Sequence, residues 1–124
     1  MAPRSGFHPM PFDFAEQIGA LPAEQRLEFY EILAHELTIS IRAFWSDEAL
    51  SLDEKVERMK WVNEILHRVV AKVRVFRLSL HEWTEADFAQ QIQGWVEQCP
   101  AIGQEVDWAI RHSYRSVTRP RADR

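Results

Sequence analysis

From Ala23 to Gln93 the sequence contains neither proline nor glycine, a run of 71 residues. Proline breaks helices because it lacks an N–H donor, and glycine weakens them because it loses the most backbone entropy. Their absence, together with apolar residues repeating at spacings of three and four, favours long helices. We therefore predict an all-α fold. It is a helical bundle built on a long antiparallel helical hairpin, with four main helices plus a short N-terminal helix.

The hairpin is predicted from two apolar repeats that alternate spacings of three and four, as in coiled coils. One repeat lies in a helix expected over about residues 22–45, and the other in a helix expected over about 52–80. The predicted seams contain Leu27, Tyr30, Ala34, Leu37, Ile41 and Phe44, and then Met59, Val62, Leu66, Val69, Val73, Phe76 and Leu80. Two such seams joined by a short connection should pack antiparallel.

Short polar residues predict where helices begin. Asp13 is expected to cap the short N-terminal helix, because its carboxylate can accept a hydrogen bond from a free backbone N–H. Ser51 and Glu54 have the spacing of a capping box, which predicts that the chain returns to helix after a break. Thr84 is expected to cap a fourth helix over about 85–98.

The chain is predicted to form one domain. Residues 1–11 hold three prolines and one glycine and should form an irregular arm. Residues 12–117 should form the single helical-bundle domain, in which Pro100 opens the last helix. Residues 118–124 should form a flexible basic tail.

Composition excludes several classes of protein. Hydrophobic residues make up 46% of the chain and charged residues 27%, which is typical of a folded protein. The single cysteine, Cys99, cannot form an intramolecular disulfide. No apolar run approaches the roughly 20 residues that cross a bilayer. We therefore expect a cytoplasmic protein with no membrane contact.

Charge alternates along the chain in blocks. Residues 13–57 carry a net charge of −8, residues 58–81 carry +5, residues 82–110 carry −6 and residues 111–124 carry +4. Neighbouring antiparallel helices of opposite sign attract, so these blocks favour one helix order. Because the whole chain carries −4, we do not expect nucleic acid as a partner.

The two hairpin helices carry more apolar residues than one seam needs. A helix that is apolar on several sides must be covered on several sides. We therefore expect a homodimer and a protein partner. The candidate interface residues are Phe29, Ile32, Ile39, Trp61, Ile65, Val75 and Leu78.

Two pairs of possible metal ligands occur on the hairpin. Glu64 and His67 have the Glu-x-x-His spacing of ferritin-like di-metal bundles, and Glu31 and His35 are four residues apart. Both pairs lie beside the predicted seams and should point away from the core, so we expect no metal and no other cofactor. The alternative is a joint metal site of all four residues, formed if the second apolar faces meet.

Arg74 and His81 suggest a different chemistry. Their spacing resembles that of HEPN-domain ribonucleases, which are small α-helical bundles that dimerise with paired active sites. The resemblance covers these two positions and the general architecture. It implies metal-independent RNA cleavage in which His81 acts as acid and base and Arg74 holds the phosphate.

We therefore interpret the sequence as a small non-enzymatic helical protein-interaction module that self-associates. The chain has only four glycines and no glycine-rich phosphate loop, which excludes the usual nucleotide-binding motifs. The alternative function is the HEPN-like ribonuclease that uses Arg74 and His81.

Overall fold

The computed structural model describes residues 13–78 and 84–119, with the side chains of 13–74 and 84–119. Within these residues the chain is helical and has no strand. The helices are α1 (Phe14–Gly19), α2 (Ala23–Ser46), α3 (Leu52–Leu78), α4 (Glu85–Gln98) and α5 (Gly103–Thr118), and a 3-10 turn (Pro100–Ile102) precedes α5. The predicted all-α bundle, with four main helices and a short N-terminal one, is confirmed.

Local hydrogen bonds fix the helix starts as predicted. Ser51 and Glu54 form a reciprocal capping box, with N–H to oxygen distances of 2.8 Å and 3.1 Å. Thr84 accepts from the backbone N–H of Asp87 at 3.2 Å, and the Asp87 carboxylate accepts from the N–H of Thr84. Asp13 caps α1. These bonds satisfy N–H groups that a helix start otherwise leaves unpaired.

Helices α2 and α3 form the predicted antiparallel hairpin. Lys72 lies over the ring of Tyr30 near one end, and Lys55 lies over the ring of Trp45 near the other. Helix α2 begins at Ala23, one position after its predicted start, because Pro22 is the N-cap and not the first helical residue. The backbone of α3 is helical to Leu78, and the last two residues of the predicted helix, 79 and 80, lie outside the described residues.

The last helix runs antiparallel to α2. The side chain of Gln25 donates to the carbonyl of Val117 at 3.2 Å, and His112 lies 3.7 Å from the carboxylate of Glu36. Helix α4 begins beside α3, where Glu85 meets Lys72. It packs against α1 as well as α3.

The core lies on one side of the hairpin, and the predicted seams were only partly right. The buried residues of the two helices are Phe29, Tyr30, Leu33, Leu37, Ser40 and Phe44 of α2, and Val62, Ile65, Val69 and Lys72 of α3. Six predicted seam residues are only partly buried, namely Leu27, Ala34, Ile41, Met59, Leu66 and Val73. Helices α1, α4 and α5 cover the hairpin from one side, so the buried face of each helix is rotated toward them.

Four aromatic rings close one end of the bundle. Phe14 of α1 meets Phe29 and Phe88 edge to face, with ring centroids 5.9 Å and 5.8 Å apart. Tyr30 lies 5.0 Å from Phe29 and 5.9 Å from Phe88. Such pairs add about 0.5–1.5 kcal/mol each to the energy of burial. This cluster attaches the short helix α1 to α2 and α4.

None of the helices in the described ranges combines the length and apolar character needed to span a membrane.

Candidate functional site

A buried ionic network lies where α2, α3 and α4 meet. Its members are Arg26 and Tyr30 of α2, Lys72 of α3 and Glu85 of α4. Tyr30 is fully buried, Lys72 is 5% exposed and Glu85 is 9% exposed. Charged side chains are rarely buried to this degree unless they are paired.

One carboxylate joins the members of this ionic network. Oε2 of Glu85 lies 3.3 Å from Nζ of Lys72 and accepts a hydrogen bond of 3.2 Å from the hydroxyl of Tyr30. Its other oxygen, Oε1, lies 4.0 Å from Nη1 of Arg26. Arg26 also donates through Nη2 to the carbonyl of Leu21 at 3.3 Å. The ionic network therefore links three helices and the α1–α2 connection.

The start of α4 suits a carboxylate. Glu85 is the first residue of that helix, directly after the Thr84 cap. Free N–H groups and the helix dipole place partial positive charge there, which favours an anionic side chain. The capping box therefore positions Glu85, and Lys72 and Arg26 supply the opposite charge.

The hydroxyl of Tyr30 cannot act as a base in this setting. Burial of the ring raises the pKa of Tyr30 far above its ordinary value, and the charge of Glu85 raises it further. Of the four members, only Arg26 has a side chain more than a quarter exposed. Tyr30, Lys72 and Glu85 are buried between the helices that they join.

The structure describes only one residue of the HEPN-like pair. Arg74 is exposed near the end of α3. His81 lies outside the described residues, so the pairing of Arg74 with His81 stays a prediction.

The alternative four-residue metal site is not formed. Glu31, His35, Glu64 and His67 are all exposed. Among the described residues no group of three or more His, Cys, Asp or Glu side chains could hold a metal ion.

The predicted interface residues divide into four groups. Phe29 and Ile65 are fully buried in the core of the chain, so they were wrong as surface candidates: α1, α4 and α5 cover the faces on which they lie. Ile32 and Trp61 are partly buried against that core, and Ile39 is exposed. The side chains of Val75 and Leu78 lie outside the described residues.

Other large apolar side chains, which were not among the predicted interface residues, are also exposed. They are Trp45 of α2, Leu52, Val56 and Val70 of α3, and Trp108 of α5. Trp108 stacks on His112, with ring centroids 4.7 Å apart. Since apolar residues occupy several faces of α3, spacing alone did not show which face the bundle would leave uncovered.

The only cysteine is not arranged as a nucleophile. Cys99 is buried at the end of α4, and burial raises the pKa of its thiol, as does the negative charge of Glu57. A raised pKa reduces the thiolate fraction near neutral pH, and the thiolate is the reactive form.

Comparisons with family models, with curated proteins and with solved structures gave no significant match.

A double-mutant cycle should show that the ionic network is coupled. Glu85→Ala leaves the ammonium of Lys72 buried without its carboxylate, and we expect it to cost about 3–5 kcal/mol of unfolding free energy. Lys72→Met with Glu85→Ala should cost less than the sum of the single changes, because both buried charges are then gone. Urea denaturation measures each value.

The matched control is Asp107→Ala, which removes an ion pair of 2.9 Å with Arg111 that is partly exposed. Because such pairs are screened by water, we expect a cost of under about 1 kcal/mol. Equal costs for Asp107→Ala and Glu85→Ala would show that the ionic network does not hold the fold.

High pH should destabilise the protein through Tyr30. In the unfolded chain a tyrosine ionises near pH 10, whereas the folded protein keeps Tyr30 protonated. The stabilisation is complete below about pH 10 and falls above it by about 1.4 kcal/mol per pH unit. Tyr30→Phe should lack this contribution. Urea denaturation of both proteins from neutral to alkaline pH measures the difference.

Phenolate absorbance gives an independent check on Tyr30. Native wild type and native Tyr30→Phe should show the same increase with pH until wild type unfolds. An extra phenolate in native wild type would contradict the buried, protonated state.

Proposed function

We propose that this chain is a non-enzymatic protein-interaction module that associates with itself and with a protein partner. The observation that carries the proposal is the exposure of large apolar side chains on a well-packed bundle. Ile39, Trp45, Leu52, Val56, Val70 and Trp108 are each between 45% and 64% exposed. Single exposed apolar residues are ordinary, but grouped ones mark contact surfaces.

One group lies along the groove between α2 and α5. The contact of Glu36 with His112 shows which residues of the two antiparallel helices lie side by side. Ile39 lies one turn beyond Glu36, and Trp108 lies one turn before His112, so both sit on the same side of that contact along the groove. Large aromatic rings are enriched at interface hot spots, which supports this groove as the surface for a protein partner.

The buried polar groups support binding over catalysis. Lys72, Glu85 and Tyr30 pair with one another inside the bundle, where they hold helices in place. An active site needs such groups within reach of a substrate. Among the described residues, the feature that a partner can reach is the set of exposed apolar side chains.

Sedimentation equilibrium tests self-association. At micromolar concentration we expect a mass of two chains that falls toward one chain on dilution, because burying the exposed apolar side chains favours association. A mass of one chain throughout the micromolar range would overturn the self-association part of the proposal.

An RNA cleavage assay separates the proposal from the HEPN-like alternative, which retains one supporting observation, the exposed position of Arg74. We expect single-stranded RNA to stay intact with the pure protein, with and without divalent ions. The interaction proposal is wrong if wild type cuts RNA, Arg74→Ala and His81→Ala do not, and the control Arg68→Ala still does. Arg68 is an exposed arginine of the same helix.

A further inference from the structure

A second apolar stripe runs along α3 beside its buried face. Its seven members follow one another at alternating spacings of four and three, which places them on one side of a helix. We call it the α3 stripe, and it consists of Leu52, Val56, Met59, Asn63, Leu66, Val70 and Val73.

The α3 stripe is open to solvent over much of its length. Leu52 is 64% exposed, Val56 55% and Val70 45%. Met59, Leu66 and Val73 are partly buried, since one side of each packs against the core. From its first to its last member the stripe extends about 32 Å. It is long enough to receive a second helix along its whole length.

The residue types of the α3 stripe fit helix pairing. In heptad notation Val56, Asn63 and Val70 occupy the a positions, and the other four members occupy the d positions. A single polar residue within an apolar coiled-coil seam specifies the register of pairing at a cost in stability. Asn63 is the central member of the seven, and it is exposed.

Charge beside the α3 stripe favours a second copy in antiparallel orientation. The flanking e positions are occupied by Asp53, Lys60, His67 and Arg74, and all four are exposed. Two antiparallel copies place Asp53 against the partner's Arg74 at both ends of the interface. Lys60 then faces the partner's His67. A twofold axis midway between positions 53 and 74 crosses α3 close to Asn63.

Parallel pairing would not use these charges. In parallel coiled coils an e position faces a g position of the other helix. Two g positions of α3 are Val62 and Val69, which are buried in the core of their own chain. Antiparallel pairing also brings the negative end of each helix dipole beside the positive end of the other.

We propose that the α3 stripe pairs two copies of this chain, with the two α3 helices antiparallel and crossing near Asn63. This inference rests on the proposed self-association and names the surface that carries it. The other occupant to be tested for is a helix from a different protein.

Matched aspartate substitutions test which surface pairs. Val70→Asp puts a charge into the α3 stripe, whereas Ile39→Asp puts one on α2 at a side chain that is 46% exposed, almost equal to Val70. By sedimentation equilibrium we expect Val70→Asp to weaken the dimer by about tenfold or more, because an unpaired charge would be buried there. Ile39→Asp should leave the dimer unchanged, because Ile39 lies in the groove between α2 and α5, which is assigned to a protein partner and not to the second copy.

The outcomes distinguish this inference from the proposed function. If wild type stays monomeric, the proposed self-association is wrong, and the pairing of two α3 stripes is wrong with it. The remaining occupant of the α3 stripe is then a helix from a different protein. A dimer that survives Val70→Asp but is lost in Ile39→Asp overturns only the α3 stripe. Circular dichroism of each variant confirms that the helices persist.

Cysteine cross-linking tests the orientation in the intact chain. In an antiparallel pair Asn63→Cys lies near its own copy across the twofold axis, whereas Val56→Cys lies about 20 Å or more from its copy. Under mild oxidation we expect a disulfide-linked dimer for Asn63→Cys and none for Val56→Cys. Both variants keep the buried Cys99, so it serves as an internal control. Cross-linking of both variants would indicate a parallel pair and overturn the antiparallel arrangement.

Discussion

The bundle depends on the carboxylate of Glu85. It meets Lys72, Tyr30 and Arg26, and so joins α4 to α2 and α3 at one point. Such a buried network adds little net stability, because removing charges from water costs several kcal/mol per ion. We therefore expect its effect to be on specificity. A shift of α4 by one turn would leave a buried charge unpaired, so the apolar packing of Phe88 and the rest of α4 occurs in a single register.

Local signals in the sequence predicted the helix boundaries well. The capping residues Ser51 and Thr84 act through hydrogen bonds to residues three positions away, so the sequence contains the whole interaction. Helices α4 and α5 also have one clear apolar face each, and the residues of these faces lie in the core or pack against it. They are Phe88, Ile92, Trp95 and Val96 of α4, Ile102 of the 3-10 turn, and Val106, Ala109 and Ile110 of α5.

The packing of the helices against one another could not be predicted from such local signals. Helix α3 has two apolar faces, and only the position of the other helices decides which face is buried. Ile65 was therefore assigned to the surface although it lies in the core. Lys72 and Glu85 are 13 residues apart in different helices, and neither carries a local sign of burial. A signal existed for Lys72, since it continues the spacing of Val62, Ile65 and Val69. The predicted seam instead joined Val62 and Val69 to Leu66 and Val73, which are only partly buried.

Helix length explains why apolar surface remains on the hairpin. Helix α3 has 27 residues and extends about 40 Å, whereas α4 and α5 have 14 and 16 residues and extend about 21 Å and 24 Å. Short helices on one side can cover one face of α3 but cannot reach around to the next. The cap at Ser51 starts the helix at Leu52. Leu52 and Val56 therefore lie on the surface of α3 even where no other helix covers them. The same capping that specifies the fold therefore creates the surface available for association.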